Sequence, residues 1–409
     1  MIKQVPFALT LLVLLGISSS SYAAYKKQQT VSPAVHKVLI EAQKFSQNQQ
    51  YTLALKTLNN LSPDKLSGFE QSQVWNFKGF TYYEQEKYSK SIVALNKSLE
   101  YIELSETIKL NTLQTIAQTH FVIEQYQHAI SVADKYLLIN PAKNPQILIL
   151  KGQAQYQLKK YQAAINSIQQ ALNIKQTLGK KPNENELLIL SACQQELEQY
   201  SLQIRTLKQL IQLYPKKQYF LALSGAYYET GDNKRQLSIY ETLYEKQWLS
   251  DPMQLKNLAQ LYLLNDAPYK GAKVLEQALA QKDIKRSVKN LNLLARAWYS
   301  AREQTKAIPP LLEAADKTSN GRQYMKLGYL LTQMERWDEA IHAFSKAKKK
   351  GGLTKKNNVE LLTGIACFHA GHMKKAKKAF KLAISQQHYA SSAKTWLNVL
   401  NQQQLTAIN

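Results

Sequence analysis

Residues 328–347 read GYLLTQMERWDEAIHAFSKA, and the spacing of small residues in that stretch decides the fold. Gly328, Ala340 and Ala347 stand twelve and then seven apart among bulky neighbours. The spacing recurs. Gly152, Ala164 and Ala171 form a second set, Ala295, Ala307 and Ala314 a third, and Gly364, Ala376 and Ala383 a fourth. Weaker sets are Ala42 with Ala54, Gly79 with Ser91 and Ser98, Ala117 with Ala129, and Ala259 with Gly271 and Ala278, with Gly225 on its own. One more unit lies between Leu187 and Pro215, marked by Tyr200 and a terminal Tyr-Pro, which makes ten units with starts 33 to 39 residues apart.

Each unit reads as two amphipathic helices, because apolar residues recur three and four apart on either side of breaks such as Thr230-Gly231-Asp232 and Ala370-Gly371-His372. Gly, Ala or Ser at a crossing point lets two helix axes approach, while Tyr, Trp and Leu fill the wider gaps. Bulky residues fall in register too: Trp75, Gly79, Tyr82 and Tyr88 in one unit, Gly225 and Tyr228 in another, Trp337, Ala340 and Phe344 in a third. Neither helix buries its apolar stripe alone, so stacking the next pair completes the core. The expectation is an all-α solenoid over 35–390, with residues 391–409 forming a capping helix and tail built on Trp396, Leu397 and Leu400.

Composition agrees with a folded chain: 44% of the 409 residues are hydrophobic, 20% are charged, and there are only 14 Gly and 11 Pro. The first 23 residues are of another kind. Lys3 precedes an almost unbroken apolar run from Phe7 to Ile17, and small residues follow to Ala24. That pattern predicts a secretory signal cleaved after Ala23, with a linker at 24–34; an uncleaved N-terminal anchor is the alternative. No later stretch is long and apolar enough to span a membrane, so a soluble periplasmic protein is expected. Cys193 and Cys367 fall in different units and read as unpaired core thiols.

The formal charge is +24, and from Ala24 to Tyr200 there are 19 Lys+Arg against 14 Asp+Glu, whereas Ser201 to Asn409 carries 33 against 15. A basic half asks for an anionic neighbour. An exported chain does not routinely meet nucleic acid, which leaves acidic protein segments, anionic lipid heads or cell-wall polymers, besides plain solubility.

A period near 34, with pieces of Trp-x2-Leu-Gly-x2-Tyr, Ala-x3-Phe and a terminal Pro at Pro141 and Pro215, resembles tetratricopeptide-repeat proteins from Val35 to Leu400. That resemblance implies a right-handed superhelix whose first helix in each unit lines an inner curve. More narrowly, VWNFKGFTYYEQEKYSKSI (74–92), YPKKQYFLALSGAYYETGD (214–232), NLAQLYLLNDAPYKGAKVLEQAL (257–279) and ARAWYSAREQTKAIPPLLEAA (295–315) resemble periplasmic repeat proteins encoded beside TonB, ExbB and ExbD in marine gammaproteobacteria. The implied role is an accessory of TonB-dependent transport, with TonB, ExbB, ExbD or an outer-membrane receptor as partners.

On the inner positions this resemblance selects, the chain carries Gln73, Asn76, Phe80 and Tyr83, then Asn111, Gln114, Gln118 and Phe121, then Gln146, Ile149, Gln153 and Tyr156. Amides pair with a peptide backbone and rings cover its apolar side chains, although each ring is equally readable as core. Further along the same positions become basic, with Lys256, Lys289, Arg296 and Arg322 beside Tyr299 and Tyr329, where an acidic segment fits. Lys256, Arg322 and Lys326 fall where carboxylate-clamping repeat proteins carry cations, but Gln260 and Leu293 replace the Asn residues of that clamp. Lys346, Lys348, Lys349 and Lys350, then Lys374, Lys375, Lys377, Lys378 and Lys381, read as a solvated outer stripe able to touch anionic surfaces.

Catalysis has no visible seat. His369 and His372 are too few to close a zinc site, Lys355-Lys356 after Gly351-Gly352 lacks the spacing of a phosphate loop, and no nucleophile pairs with a base. The sequence therefore predicts no enzyme, no cofactor and no metal.

Overall fold

In the computed structural model the described residues are 30–101, 104–141, 144–354, 358–385 and 389–406. The expected signal peptide at 1–23, the linker up to residue 29, Lys355, Lys356 and the last three residues of the tail lie outside them. Among the described residues there are twenty-one α-helices and no strand, divided into two units, Met1–Lys181 and Pro182–Asn409.

The first unit holds four helical hairpins: α1 (Pro33–Gln47) with α2 (Tyr51–Asn59), α3 (Gly68–Glu84) with α4 (Tyr88–Leu99), α5 (Glu106–Val122) with α6 (Tyr126–Ile139), and α7 (Pro145–Gln157) with α8 (Tyr161–Thr177). The second holds six: α9 (Glu184–Glu196) with α10 (Tyr200–Leu213), α11 (Lys217–Glu229) with α12 (Asn233–Glu245), α13 (Pro252–Leu264) with α14 (Pro268–Ala280), α15 (Val288–Ser300) with α16 (Gln304–Asp316), α17 (Arg322–Gln333) with α18 (Trp337–Lys350), and α19 (Val359–His369) with α20 (Met373–Ile384). A single helix, α21 (Ala390–Thr406), follows them and covers the last hairpin with the buried Ala393 and Leu400 and the half-buried Trp396 and Leu397. No helix of the described residues is long and apolar enough to cross a membrane.

All ten hairpins turn in the same way. The first helix ends on a residue with positive φ: Gln49, Glu86, Glu124, Lys159, Glu198, Gly231, Asp266, Arg302, Glu335 and Gly371. The next amide then donates back five residues, as from Lys87 to the Tyr82 carbonyl at 2.9 Å and from His372 to that of Cys367 at 2.8 Å. This is the Schellman closure, which satisfies carbonyls orphaned at a helix end. Only two of the ten positions hold Gly, so the other eight side chains sit in a conformation costing each about 1 kcal/mol. Stacking of the flanking helices holds them there.

Packing explains the small residues. A Cβ on Gly328 would lie 2.3 Å from the Phe344 ring, and one on Gly364 would lie 2.4 Å from that of Phe380. On Gly79 and Gly152 it would meet Leu95 at 2.5 Å and Ile168 at 2.6 Å. Where the crossing residue is Ala259 or Ala295, the residue at the same offset is Leu275 or Leu311 rather than a ring. Bulk on one helix is thus matched by its absence on the other.

One register differs from the sequence expectation. In the sixth hairpin the buried crossing residue is Ser224, at 3% exposure, and the ring in register is the buried Tyr227; Gly225 and Tyr228 face outward. The fifth hairpin uses Ser191 at the same place. In both, Gln203 or Gln236 stands where the second small residue was sought, and in the fifth the neighbouring Gln194 accepts a 2.9 Å bond from Thr206. In the fifth hairpin polar groups that find partners take the place of Ala, whereas in the sixth the Gln236 Oε1 is buried without a partner.

Cys193 and Cys367 are buried and unpaired. Burial pushes the Cys193 thiol up to about 12, which keeps it protonated and unreactive.

Candidate functional site

In the first unit, the inner positions are largely engaged within the protein. Asn76 is not an open amide: it is buried, and its Nδ2 donates to Thr112 Oγ1 at 2.6 Å, tying α3 to α5. Thr112 in turn donates to the Ile108 carbonyl. Gln114 accepts from Asn144 at 3.0 Å, which ties α5 to the start of α7. Tyr83, Phe121 and Tyr156 each lean on a ring at the start of the following helix, with centroids 5.8 Å from Tyr88, 5.4 Å from Tyr126 and 5.9 Å from Tyr161. These rings clasp the hairpin turns. Asn111 is exposed, while Gln118 is half-buried with an Oε1 that has no partner, as does Gln73 Nε2. Both of those unpartnered atoms are buried, and the amides this face exposes are Asn111 and Gln146.

The second unit differs. Helices α13, α15 and α17 contain five cations, Lys256, Lys289, Arg296, Arg322 and Lys326, and no Asp or Glu. Acids of the second unit sit on the other helices and in the connections, where they pair locally: Lys270 with Glu241 at 3.3 Å, Arg286 with Glu313, Lys306 with Glu303 at 3.1 Å, Arg336 with Glu339. None of the five cations enters an ion pair among the described residues. Lys256 is half-buried, and the other four are exposed. Beside them Tyr299 is 45% exposed with its hydroxyl donating to Gln333 across α15 and α17, and Tyr329 is 43% exposed with its ring edge on Phe344. Cations without counter-charge beside open rings form a surface suited to carboxylates carried on a chain with apolar residues.

The lysine stripe splits into two parts. Lys350 is not simply solvated: its Nζ donates to the Ala315 and Thr318 carbonyls at 2.7 Å each, capping α16, and lies 5.3 Å above the Tyr324 ring. Lys346 sits 5.4 Å over the same ring, and Lys348 pairs with Glu360 at 3.3 Å. Burial, and then a hydrogen bond given to Asp316, pushes the Tyr324 hydroxyl up to about 12. Lys374, Lys375, Lys378 and Lys381 on α20 are exposed. The two histidines do separate things: His369 stacks on Trp337 at 4.4 Å, and His372 bonds Asp338 at 2.8 Å. Among the described residues no three His, Cys, Asp or Glu side chains converge as a metal would need.

Residues 145–178, which hold α7 and α8, match the family model described as the tetratricopeptide repeat. That hairpin is a tetratricopeptide repeat. The other nine hairpins repeat the turn of that one. The chain is similar to a solved tetratricopeptide repeat protein from Parabacteroides merdae, with 14% identity, 65% of this chain and 99% of that one covered, and a TM-score of 0.40. It is also similar to MamA, with 17% identity, coverage of 44% and 92%, and a TM-score of 0.38. A third similarity is to the TPR2AB domain of yeast Sti1 in a pHSP90 complex, with 14% identity, coverage of 63% and 98%, and a TM-score of 0.36.

The charge asymmetry read from the sequence is softer at the structural boundary. Residues 1–181 carry 20 Lys+Arg against 10 Asp+Glu, and residues 182–409 carry 33 against 19. What distinguishes the second unit is therefore the segregation of its charges between helices. That arrangement is invisible to a count.

Proposed function

We propose that this chain is a non-enzymatic scaffold of the cell envelope that holds protein partners on the first helices of its repeats, with the face of α13, α15 and α17 taking an acidic segment. The supporting observation is the set of five unpaired cations on three consecutive first helices that lack any acid. A charge left without an internal partner contributes little to folding, yet it raises the association rate and selects the sign of the partner.

The finer reading places the protein in the periplasm, after cleavage at Ala23, as an accessory of TonB-dependent transport; it rests on the four stretches that resemble the repeat proteins encoded with TonB, ExbB and ExbD. Crosslinking in intact cells, followed by purification of the tagged full chain, tests it. TonB, ExbB, ExbD or an outer-membrane receptor is expected above background. Their absence removes the transport assignment, and recovery of other envelope proteins through the same face keeps the scaffold. The intact mass of the purified protein checks the cleavage.

A second reading has its own observation, the exposed lysines of α20. Vesicles containing anionic lipid sediment the protein at low salt if that cluster binds a surface, and changing Lys374, Lys375, Lys377 and Lys378 to Glu abolishes it.

A further inference from the structure

We infer that Gly225 marks the place where the main chain of an extended, acidic partner segment crosses α11, with the acidic residues of that segment lying over α15 and α17. The inference rests on the reading of this face as the partner site and adds where the segment lies and what it carries.

Glycine inside a helix destabilises it, so a helical Gly asks for a reason. Inside the protein five others have one: Gly79, Gly152, Gly328 and Gly364 each face a side chain closer than a Cβ tolerates, and Gly271 faces the Ala259 carbonyl at 2.8 Å. Gly225 has none. It is exposed, and a Cβ built on it would meet no atom within 4 Å. The missing side chain leaves room on the outside of the protein, where only a partner can use it.

Its surroundings give the chemistry. Tyr228, about one turn further along α11, is 65% exposed and stands beside that room as a ring against which an apolar residue packs. The residue following the crossing residue is Ala192 in α9, Gly225 in α11, Gln260 in α13, Arg296 in α15 and Tyr329 in α17. Among these α11 alone carries no side chain, so the surface is lowest there, and the one charged residue of the register, Arg296, is a cation. Arg296 lies two first helices beyond Tyr228 and Arg322 three, so the carboxylates belong on one side of the apolar residue at Tyr228 along the segment. A main chain approaches a helix more closely where no Cβ stands in the way, and Gly225 provides such a point.

A random dodecapeptide display library panned against the full chain is the test. Selected peptides are expected to be enriched in Asp and Glu on one side of an aromatic or branched residue. The best of them, fluorescein-labelled, is then titrated against four forms of the protein: the native chain, Gly225→Ala, Gly225→Leu and Arg296→Glu. Gly225→Leu is expected to weaken binding by about tenfold or more while raising the melting temperature, because a better helix former replaces Gly at an open position. Gly225→Ala should raise the melting temperature with a smaller loss of affinity, and Arg296→Glu should weaken binding and its salt dependence without lowering the melting temperature. Binding unchanged in Gly225→Leu but lost in Arg296→Glu overturns the crossing point and leaves the face. Selected peptides without acidic enrichment, or binding indifferent to Arg296→Glu, overturn the face itself. Displacement of the peptide by phosphatidylglycerol vesicles as effectively as by unlabelled peptide makes the surface a general anion binder and overturns the polypeptide assignment.

Discussion

The same positions on first helices are used in opposite ways by the two units. In α3, α5 and α7, amides and rings at those positions bond to neighbouring helices, as Asn76 does to Thr112 and Tyr83 to Tyr88. In α13, α15 and α17 they carry cations with no ion-pair partner among the described residues. One repeat geometry therefore supports either cohesion between hairpins or an open binding surface. Side-chain chemistry decides which, because amides and rings satisfy one another at these distances and like charges do not.

The two Gly classes break this comparison most sharply. Gly328→Leu drives a side chain into Phe344 and should cost about 3 kcal/mol or more, read as loss of hydrogen-exchange protection in α17 and α18. Gly225→Ala, with open space before it, should move stability the other way; equal losses at both sites would end the distinction between packed and open glycines.

Next in size is the contrast between faces. Asn76→Ala removes a buried bond and should cost roughly 1–2 kcal/mol in the first unit, whereas Arg296→Ala should change stability by less than about 0.5 kcal/mol. Comparable losses would mean that the second face is as engaged as the first.

Acid sharpens the same point. Glu70 caps α3 from within and also bonds Ser32 at the entry to α1. Hydrogen bonds from Ser32, and then from Ser67, hold its carboxyl at about 2, against 4.5 when released. A depressed carboxyl stabilises the fold fully above 4.5, and the contribution fades as pH falls from there towards 2. Protection of α1 and α3 should therefore decline across that window in the native chain, and the decline should flatten in Glu70→Gln. No pH dependence confined to the first unit is expected from Arg296→Ala.

The smallest effect is at the turns. Glu335→Gly should stabilise the ninth hairpin by about 0.5–1 kcal/mol by removing a left-handed side chain, with thermal melting as the check. A loss there would show that the Glu side chain contributes more than its backbone strain removes.

How much of this was legible beforehand follows from the kind of signal. Hairpins with Gly or Ala at both crossing points could be placed from spacing alone, since close helix crossing admits only small side chains; Gly328 with Ala340 and Gly364 with Ala376 are such pairs. The fifth and sixth could not be placed to the residue, because Ser191 and Ser224 work with a Gln rather than a second small residue, and the more conspicuous Gly225 drew the register one residue off. Of the candidate site, the cations of α13, α15 and α17 are legible in the sequence, while the engagement of Asn76, Tyr83, Phe121 and Tyr156 within the protein is not, because a sequence shows which groups can bond and not which already do.

The sequence by itself determined the repeat, its number and its helical content, because these depend on local periodicity and on the size of single residues at fixed intervals. Only the tertiary structure decided which polar and aromatic groups are engaged, which lysines are docked and which glycine faces open space. Those are properties of distances between residues some 30 positions apart, and a bond such as Asn76 to Thr112 or Lys350 to Ala315 exists only once neighbouring hairpins have stacked.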